Sequence, residues 1–118
     1  MKHNFKNLAI WKRSRKLVKN VYLMTRQLPK EELFVLTAQI RKSVVSMPSN
    51  VAEGCGRGTD KQLAHFLDIA IGSNCELETQ IYLCHDLEYI NEEQQNTLVK
   101  ELSEIRRMML SFRNGLSI

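Results

Sequence analysis

Apolar residues recur along the start of the chain with the spacing of an α-helix. From about Leu8 to about Leu28, the steps between apolar positions alternate between three and four residues, the repeat of one helix face. The residues of this face are Ile10, Ser14, Leu17, Val21, Met24 and Leu28. Pro29 ends the segment, because proline disfavours helical backbone in the residue before it. The pattern predicts a first amphipathic helix over about 8–28.

A second helix is predicted to begin near Glu31 or Glu32, where acidic side chains suit the positive end of the helix dipole. Its predicted inner face comprises Leu33, Leu36, Ile40, Val44, Met47, Val51 and Gly54. Pro48 lies inside this pattern and removes one backbone hydrogen bond, so a kink or a break is expected there. The apolar register continues unshifted past Pro48, which favours the kink. The glycine-rich segment 54–58 supplies the C-cap and a turn.

Two further helices follow, each with a capping signal at its start. Thr59 and Gln62 have the spacing of a capping box, and Asn91 precedes acidic and Gln residues in the same way. The third helix is predicted to end around 87–89, with an inner face of Leu63, Phe66, Leu67, Ala70, Ser73, Leu77, Ile81 and Cys84. The fourth is predicted to end at Gly115, with an inner face of Leu98, Leu102, Ile105, Met109 and Phe112.

Four amphipathic helices joined by short connections predict an all-α fold, an antiparallel up-down four-helix bundle with a kinked second helix. At 118 residues the chain is expected to form one domain, 1–118. Five glycines and two prolines are few for an all-β protein. Three-helix and two-hairpin arrangements remain open if the second helix breaks at Pro48.

The distribution of apolar residues and cysteines indicates the cellular compartment of the protein. No apolar run is long enough to span a bilayer, and the N-terminus is charged without an apolar signal core. The cysteines, Cys55, Cys75 and Cys84, are odd in number and widely spaced, which suits a reducing setting better than a disulfide framework. We therefore expect a cytoplasmic protein without a membrane partner.

Charge divides the chain unevenly. Residues 1–30 hold nine Lys or Arg and no acid, whereas the rest of the chain carries eight basic and thirteen acidic side chains, so that +9 and −5 combine to +4. In the predicted first helix, a basic row lies opposite the apolar face and comprises Lys12, Lys16, Lys19 and Arg26, with Arg15 beside it. Such a row can neutralise phosphates without reading sequence. The alternative is a solvated helix face.

Apolar residues also lie beside the core faces of two helices. They are Trp11, Val18 and Tyr22 on the first helix and Ile71, Cys75 and Tyr82 on the third. One interpretation is a core wider than two positions per turn. The other is a subunit interface, for which Trp and Tyr are favoured anchors. The sequence leaves both open.

A polar seam recurs at helical spacing along the second helix, comprising Gln39, Ser46, Asn50, Glu53 and Arg57. Buried polar groups must pair, so a structural network is the favoured interpretation. An active site would use Glu53 as a base, but no nucleophile or second titrating partner is recognisable. His3, His65 and His85 have no partners at metal-ligand spacing. We therefore expect no metal, no cofactor and no catalysis.

Several segments resemble one family. Residues 7–12 (NLAIWK) are similar to the opening of the bacterial four-helix-bundle family named for 23S rRNA intervening sequences, and residues 39–54 with Arg57 are similar to its signature. Residues 71–73 and 76–80 match a further stretch. The resemblance implies a four-helix bundle and a five-fold ring of subunits. It also points to a relative, the accessory variability determinant of diversity-generating retroelements, which works with a reverse transcriptase.

Together the charge pattern and the resemblance favour a non-enzymatic, oligomeric adaptor that binds the RNA or DNA backbone through its first helix. The expected partners are further copies of the chain in a homopentamer, RNA or DNA, and a reverse-transcriptase-like protein. The alternatives are a protein-interaction module and a self-assembling ring with no nucleic-acid role.

Overall fold

The structure is a computed structural model that describes residues 2–118, and within them it contains helices and turns but no strand. The four long helices are α1 (Ala9–Thr25), α2 (Leu36–Gly56), α3 (Asp60–Asp86) and α4 (Glu92–Asn114). Short 3-10 turns at Phe5–Asn7 and Lys30–Glu32 precede α1 and α2. The helices pack side by side into a body of 44 × 24 × 19 Å. The predicted all-α four-helix bundle is confirmed.

Each helix packs against two others in cyclic order, and α1 lies closer to α2 than to α4. Hydrogen bonds join Ser43 to Glu76 and Ser46 to Ser73. Residue numbers thus rise along α2 as they fall along α3, so these helices are antiparallel. The contact between α2 and α3 is the most extensive of any helix pair in the bundle.

The core lies where the four apolar faces meet. All six positions predicted for the inner face of the first helix are buried, including Ser14, although Leu28 lies beyond the end of α1. Complete burial of a Leu, Ile or Met side chain contributes about 1.5–3 kcal/mol. The large side chains that lose essentially all solvent contact include Leu17, Ile40, Met47, Leu63, Leu67, Leu77, Ile81, Leu102, Ile105 and Met109.

The start of α2 differs from the prediction. After Pro29 the chain forms the short 3-10 turn, and Val35 leaves the helical region with φ −120° and ψ −99° before α2 begins at Leu36. Leu33 therefore lies outside α2 and is exposed, so its predicted place on the inner face was wrong. The helix is continuous through Pro48, which excludes two separate helices. The kink itself stays a prediction.

Local sequence signals account for three other helix ends. Gly58 adopts φ 89° after α2, a backbone region that glycine enters without a steric penalty. The Thr59 side chain accepts a hydrogen bond from the Gln62 N–H, and Asn91 and Gln94 form a reciprocal capping box at the start of α4. Within residues 2–118, no helix combines the length and hydropathy that a bilayer crossing needs.

Candidate nucleic-acid interface

The five basic residues singled out in the sequence lie on the solvent face of α1, the last of them, Arg26, at its C-cap. Lys12, Arg15, Lys16, Lys19 and Arg26 are all exposed and are called the basic stripe below. At 3.6 residues per turn they occupy an arc of about 100° opposite the α1 core face. With a rise of 1.5 Å per residue, the stripe is about 21 Å long.

The cations of the basic stripe face solvent without internal neutralisation. Across residues 2–118, every carboxylate that lies within 4.0 Å of a basic group pairs with a residue outside the basic stripe. The Arg15 guanidinium lies 5.4 Å from the centre of the Trp11 ring. Such stacking orients a guanidinium and leaves the N–H donors at its edge available to an acceptor.

Arg13, also on α1, has a different environment because it points towards α4. Its Nη2 lies 2.6 Å from Glu101 Oε2 and 2.7 Å from Glu104 Oε2. Hydrogen bonds to these two carboxylates raise the pKa of Arg13, and the bond from Arg13 lowers the pKa of Glu104. Arg13 is therefore a structural cation, and the sequence pattern did not reveal its partners on α4.

An apolar residue interrupts the stripe. Leu23 lies within the same arc of α1, and 45% of its surface is exposed. Sequence reasoning missed it, because a lone Leu on a basic face gives no periodic signal. An exposed Leu by itself is ordinary in a soluble protein.

The predicted interface residues divide into two groups. Trp11, Val18 and Ile71 are half-buried and pack against the core, as a wide core requires. Tyr22 and Tyr82 are 37% and 41% exposed. The wide-core interpretation therefore accounts for the first group, while the two tyrosines remain open to a partner.

The two exposed tyrosines lie on different sides of the bundle. The Arg41 guanidinium of α2 lies 4.7 Å from the Tyr22 ring centre, which places Tyr22 beside the α1–α2 contact. Tyr82 donates a hydrogen bond to Glu78, which in turn pairs with Arg106 of α4 at 2.9 Å. Tyr82 thus borders the α3–α4 contact.

Part of the predicted polar seam forms a network between α2 and α3. Ser46 Oγ lies 2.8 Å from Ser73 Oγ, and Asn50 Nδ2 donates to both the carbonyl and the hydroxyl of Ser46 at 2.8 Å. Gln39 lines the same groove one helical turn beyond Ser43. These contacts pair polar groups that the helix contact would otherwise leave unsatisfied.

Glu53 and Arg57 are separate from this network. Both are about half exposed, and they form a 3.1 Å ion pair one helical turn apart at the end of α2. Arg57 also lies 5.0 Å from the Phe66 ring centre on α3. The predicted seam is therefore two units, a groove network and a surface ion pair.

A buried polar contact between α3 and α4 was missed in the sequence. Asn74 is fully buried, donates to the Leu102 carbonyl at 2.9 Å and accepts from Arg106 at 2.6 Å. Its only sequence signal is an amide on an otherwise apolar helix face. A buried amide paired in this way can fix the register of two helices.

Two features bear on metal binding and thiol chemistry in the described part of the chain. In residues 2–118, no three His, Cys, Asp or Glu side chains gather closely enough to hold a metal ion. Burial raises the pKa of Cys84 to about 11 and also raises the pKa of Cys55, so both thiols stay protonated at neutral pH.

Comparison with known proteins identifies the family. A crystal structure of a protein of unknown function from the S23 ribosomal protein family of Bacteroides thetaiotaomicron superposes with a TM-score of 0.81 at 23% identity, covering 89% of this chain and 95% of that one. That likeness shows a shared fold. No curated protein matches the sequence. The model of the family described as 23S rRNA-intervening sequence protein matches residues 6–111, and the chain belongs to this family.

Proposed function

We propose that this chain is a non-enzymatic, oligomeric adaptor that binds the phosphate backbone of RNA or DNA through the basic stripe. The observation that carries the proposal is the contrast on α1. Five exposed cations share one face without acidic partners in residues 2–118, while Arg13 on the adjoining face is neutralised by α4. Cations held ready in this way release counterions from a nucleic acid when they bind phosphates.

The stripe suits backbone contacts better than base recognition. Trp11 and Tyr22 flank the stripe, and each ring has a guanidinium over it, that of Arg15 on Trp11 and that of Arg41 on Tyr22. Base stacking on a protein needs an open aromatic face. Phosphate contacts position a nucleic acid without selecting its sequence. We therefore assign sequence-independent binding to this surface.

Assembly would multiply the stripe. The family resemblance suggests a homopentamer, and a ring requires two different patches on each subunit to meet head to tail. Tyr22 and Tyr82, on different sides of the bundle, fit that requirement. Repetition of the stripe around a ring would add avidity. The three cysteines are free, which suits the reducing cytoplasm. The candidate protein partner is a reverse-transcriptase-like protein.

Charge reversal tests the proposal. The variant Lys12→Glu, Lys16→Glu, Lys19→Glu should abolish binding to structured RNA and duplex DNA in fluorescence anisotropy at low salt. For the parent chain, five phosphate contacts on a duplex predict a slope of about −4 to −5 for log K against log salt. The matched control is Lys30→Glu, Lys42→Glu, Lys61→Glu, which changes net charge equally at exposed sites off the stripe.

Two results would contradict this function. One is a parent chain that binds neither nucleic acid at low salt, and the other is equal binding by both triple variants. Co-purification of an acidic protein that resists nuclease treatment and depends on the stripe would favour the protein-interaction alternative. Light scattering on the same samples gives the assembly mass, and a monomer would contradict the ring.

A further inference from the structure

One end of the bundle exposes a group of apolar side chains. The α1–α2 and α3–α4 connections meet there, since the Tyr89 hydroxyl donates to Glu32 at 2.8 Å. Phe34 has 89% of its surface exposed, an extreme value for the largest apolar side chain in the region. We call the exposed apolar residues of this end the end patch, namely Leu33, Phe34, Val35, Leu83 and Leu87. Single exposed apolar residues are ordinary, but a group at one place indicates an interaction site.

Acidic residues lie at the same end of the bundle as the end patch. The acidic rim comprises the exposed residues Glu31, Asp86, Glu88, Glu92 and Glu93. In the described part of the chain none of them forms an ion pair, although Lys30 lies in the same connection as Glu31. The five acids of the rim outnumber the exposed bases Arg26 and Lys30 of the α1–α2 connection, so this end carries net negative charge beside its apolar residues.

The stability of α3 and α4 explains the presence of only some of the acidic residues in the rim. Glu92 and Glu93 occupy the first turn of α4, where the dipole favours acids. Asp86 and Glu88 lie at the C-terminal end of α3, where the dipole opposes negative charge. Glu88 also adopts φ 65°, an uncommon backbone region for a residue with a side chain. Helix stability therefore explains neither Asp86 nor Glu88. Residues that local conformational preferences disfavour are found most often at binding sites.

We propose that this end binds a basic, amphipathic segment of a partner protein. Apolar residues of that segment would pack on Phe34 and Leu87, and its Lys or Arg residues would pair with the acidic rim. An exposed aromatic anchor within complementary charge is the arrangement that dominates many protein interfaces. Nucleic acids and anionic membranes do not fit, because the rim repels phosphate. The end patch is distinct from the basic stripe, so one molecule can hold a basic protein and a nucleic acid together.

A model peptide tests this surface directly. The probe is a fluorescein-labelled peptide of about 18 residues, built from Leu and Lys with helical amphipathic spacing. Binding to the full chain is followed by anisotropy. Phe34→Ser with Leu87→Ser, and separately Asp86→Asn with Glu88→Gln, should each raise Kd by about tenfold. The effect of the charge variant should shrink at high salt.

Matched controls separate this surface from the others. Leu110→Ser with Ile69→Ser removes two exposed apolar groups elsewhere on the surface and should leave Kd unchanged. The stripe variant that tests nucleic-acid binding should also retain peptide binding, so the two proposals can fail independently. Circular dichroism of the end-patch variant should match the parent, since side chains this exposed contribute little to folding.

Three outcomes would overturn the proposal. The first is an unchanged Kd in both the end-patch and the rim variants. The second is equally tight binding of a peptide with the same composition but no apolar face. The third is a smaller assembly mass for Phe34→Ser with Leu87→Ser, which would show that a second copy of the chain covers the patch.

Discussion

Gly54 determines how closely α2 and α3 can approach. A Cβ atom at this position would lie 2.8 Å from Leu63 Cδ1 and 2.9 Å from Phe66 Cβ, well inside carbon–carbon contact. Gly72, inside α3, differs because nothing outside its own helix lies within 4 Å of a Cβ built there. The two glycines therefore respond to different constraints, although both lie within helices.

We expect opposite effects from adding a methyl group at these two sites. Gly54→Ala should lower the free energy of unfolding by roughly 1–3 kcal/mol, because α3 must move away or side chains must distort. Gly72→Ala should raise it by about 0.5–1 kcal/mol, because alanine restricts the unfolded chain and favours helix. Urea unfolding followed by circular dichroism measures both. Equal stability of the two variants would remove the close-contact argument.

Periodicity predicted individual core residues well and tertiary partners poorly. The α1 core positions followed from spacing alone, because burial of one helix face imposes that repeat. Leu33 fitted the α2 repeat but lies in the preceding connection, since spacing does not show where a helix begins. Asn74 and Arg13 gave no usable signal, because their partners lie about 30 and 90 residues away in sequence.

At the scale of helices, Arg13 compensates for the looser contact between α1 and α4. Its Nε and Nη2 both reach Glu101, its Nη2 also reaches Glu104, and its Nη1 lies 3.2 Å from the Met108 sulfur. A guanidinium can make these contacts at once because its five donors lie in one plane. The cation therefore links three positions along α4 to one position on α1.

A double-mutant cycle on Arg13→Ala and Glu101→Ala measures this link. Both side chains are about one-third exposed, so solvent screening limits the expected coupling to about 0.5–1 kcal/mol. The coupling should fall in about 1 M NaCl. The comparison pair, Arg57 and Glu53, is more exposed and joins residues one helical turn apart at the end of α2, so we expect only about 0.3–0.5 kcal/mol. A coupling at or below that of the comparison pair would contradict the structural role.

Charge is organised over the whole molecule in a way that the sequence shows only in part. The basic stripe was visible because its members fall within one helix. The acidic rim was not, because Glu31 and Asp86 are brought to the same end only by the meeting of two connections. Binding surfaces formed by two separate connections follow from topology rather than from local pattern.

Long-range contacts also join residues near both chain termini to Asp60 at the start of α3. The buried Asp60 carboxylate lies 3.1 Å from Lys2 Nζ and 3.3 Å from His3 Nε2, and it accepts a hydrogen bond from the Ser117 backbone N–H at 2.9 Å. The Ser117 bond, followed by the Lys2 contact, lowers the pKa of Asp60. The ionised form of this one side chain therefore holds both ends of the chain.

This arrangement predicts a particular pH dependence of stability. Because the pKa of Asp60 is lower in the folded chain, the unfolded chain takes up the proton at a higher pH. The stabilisation is complete above the ordinary Asp pKa of about 3.9 and is lost as pH falls through the lowered value. Asp60→Asn should thus be less stable than the parent at neutral pH, and the difference in urea midpoint should narrow on acidification. The exposed Asp86→Asn controls for loss of one negative charge. If the urea midpoints of the parent and Asp60→Asn differ by a constant amount from pH 7 to about pH 2, ionised Asp60 does not hold the termini.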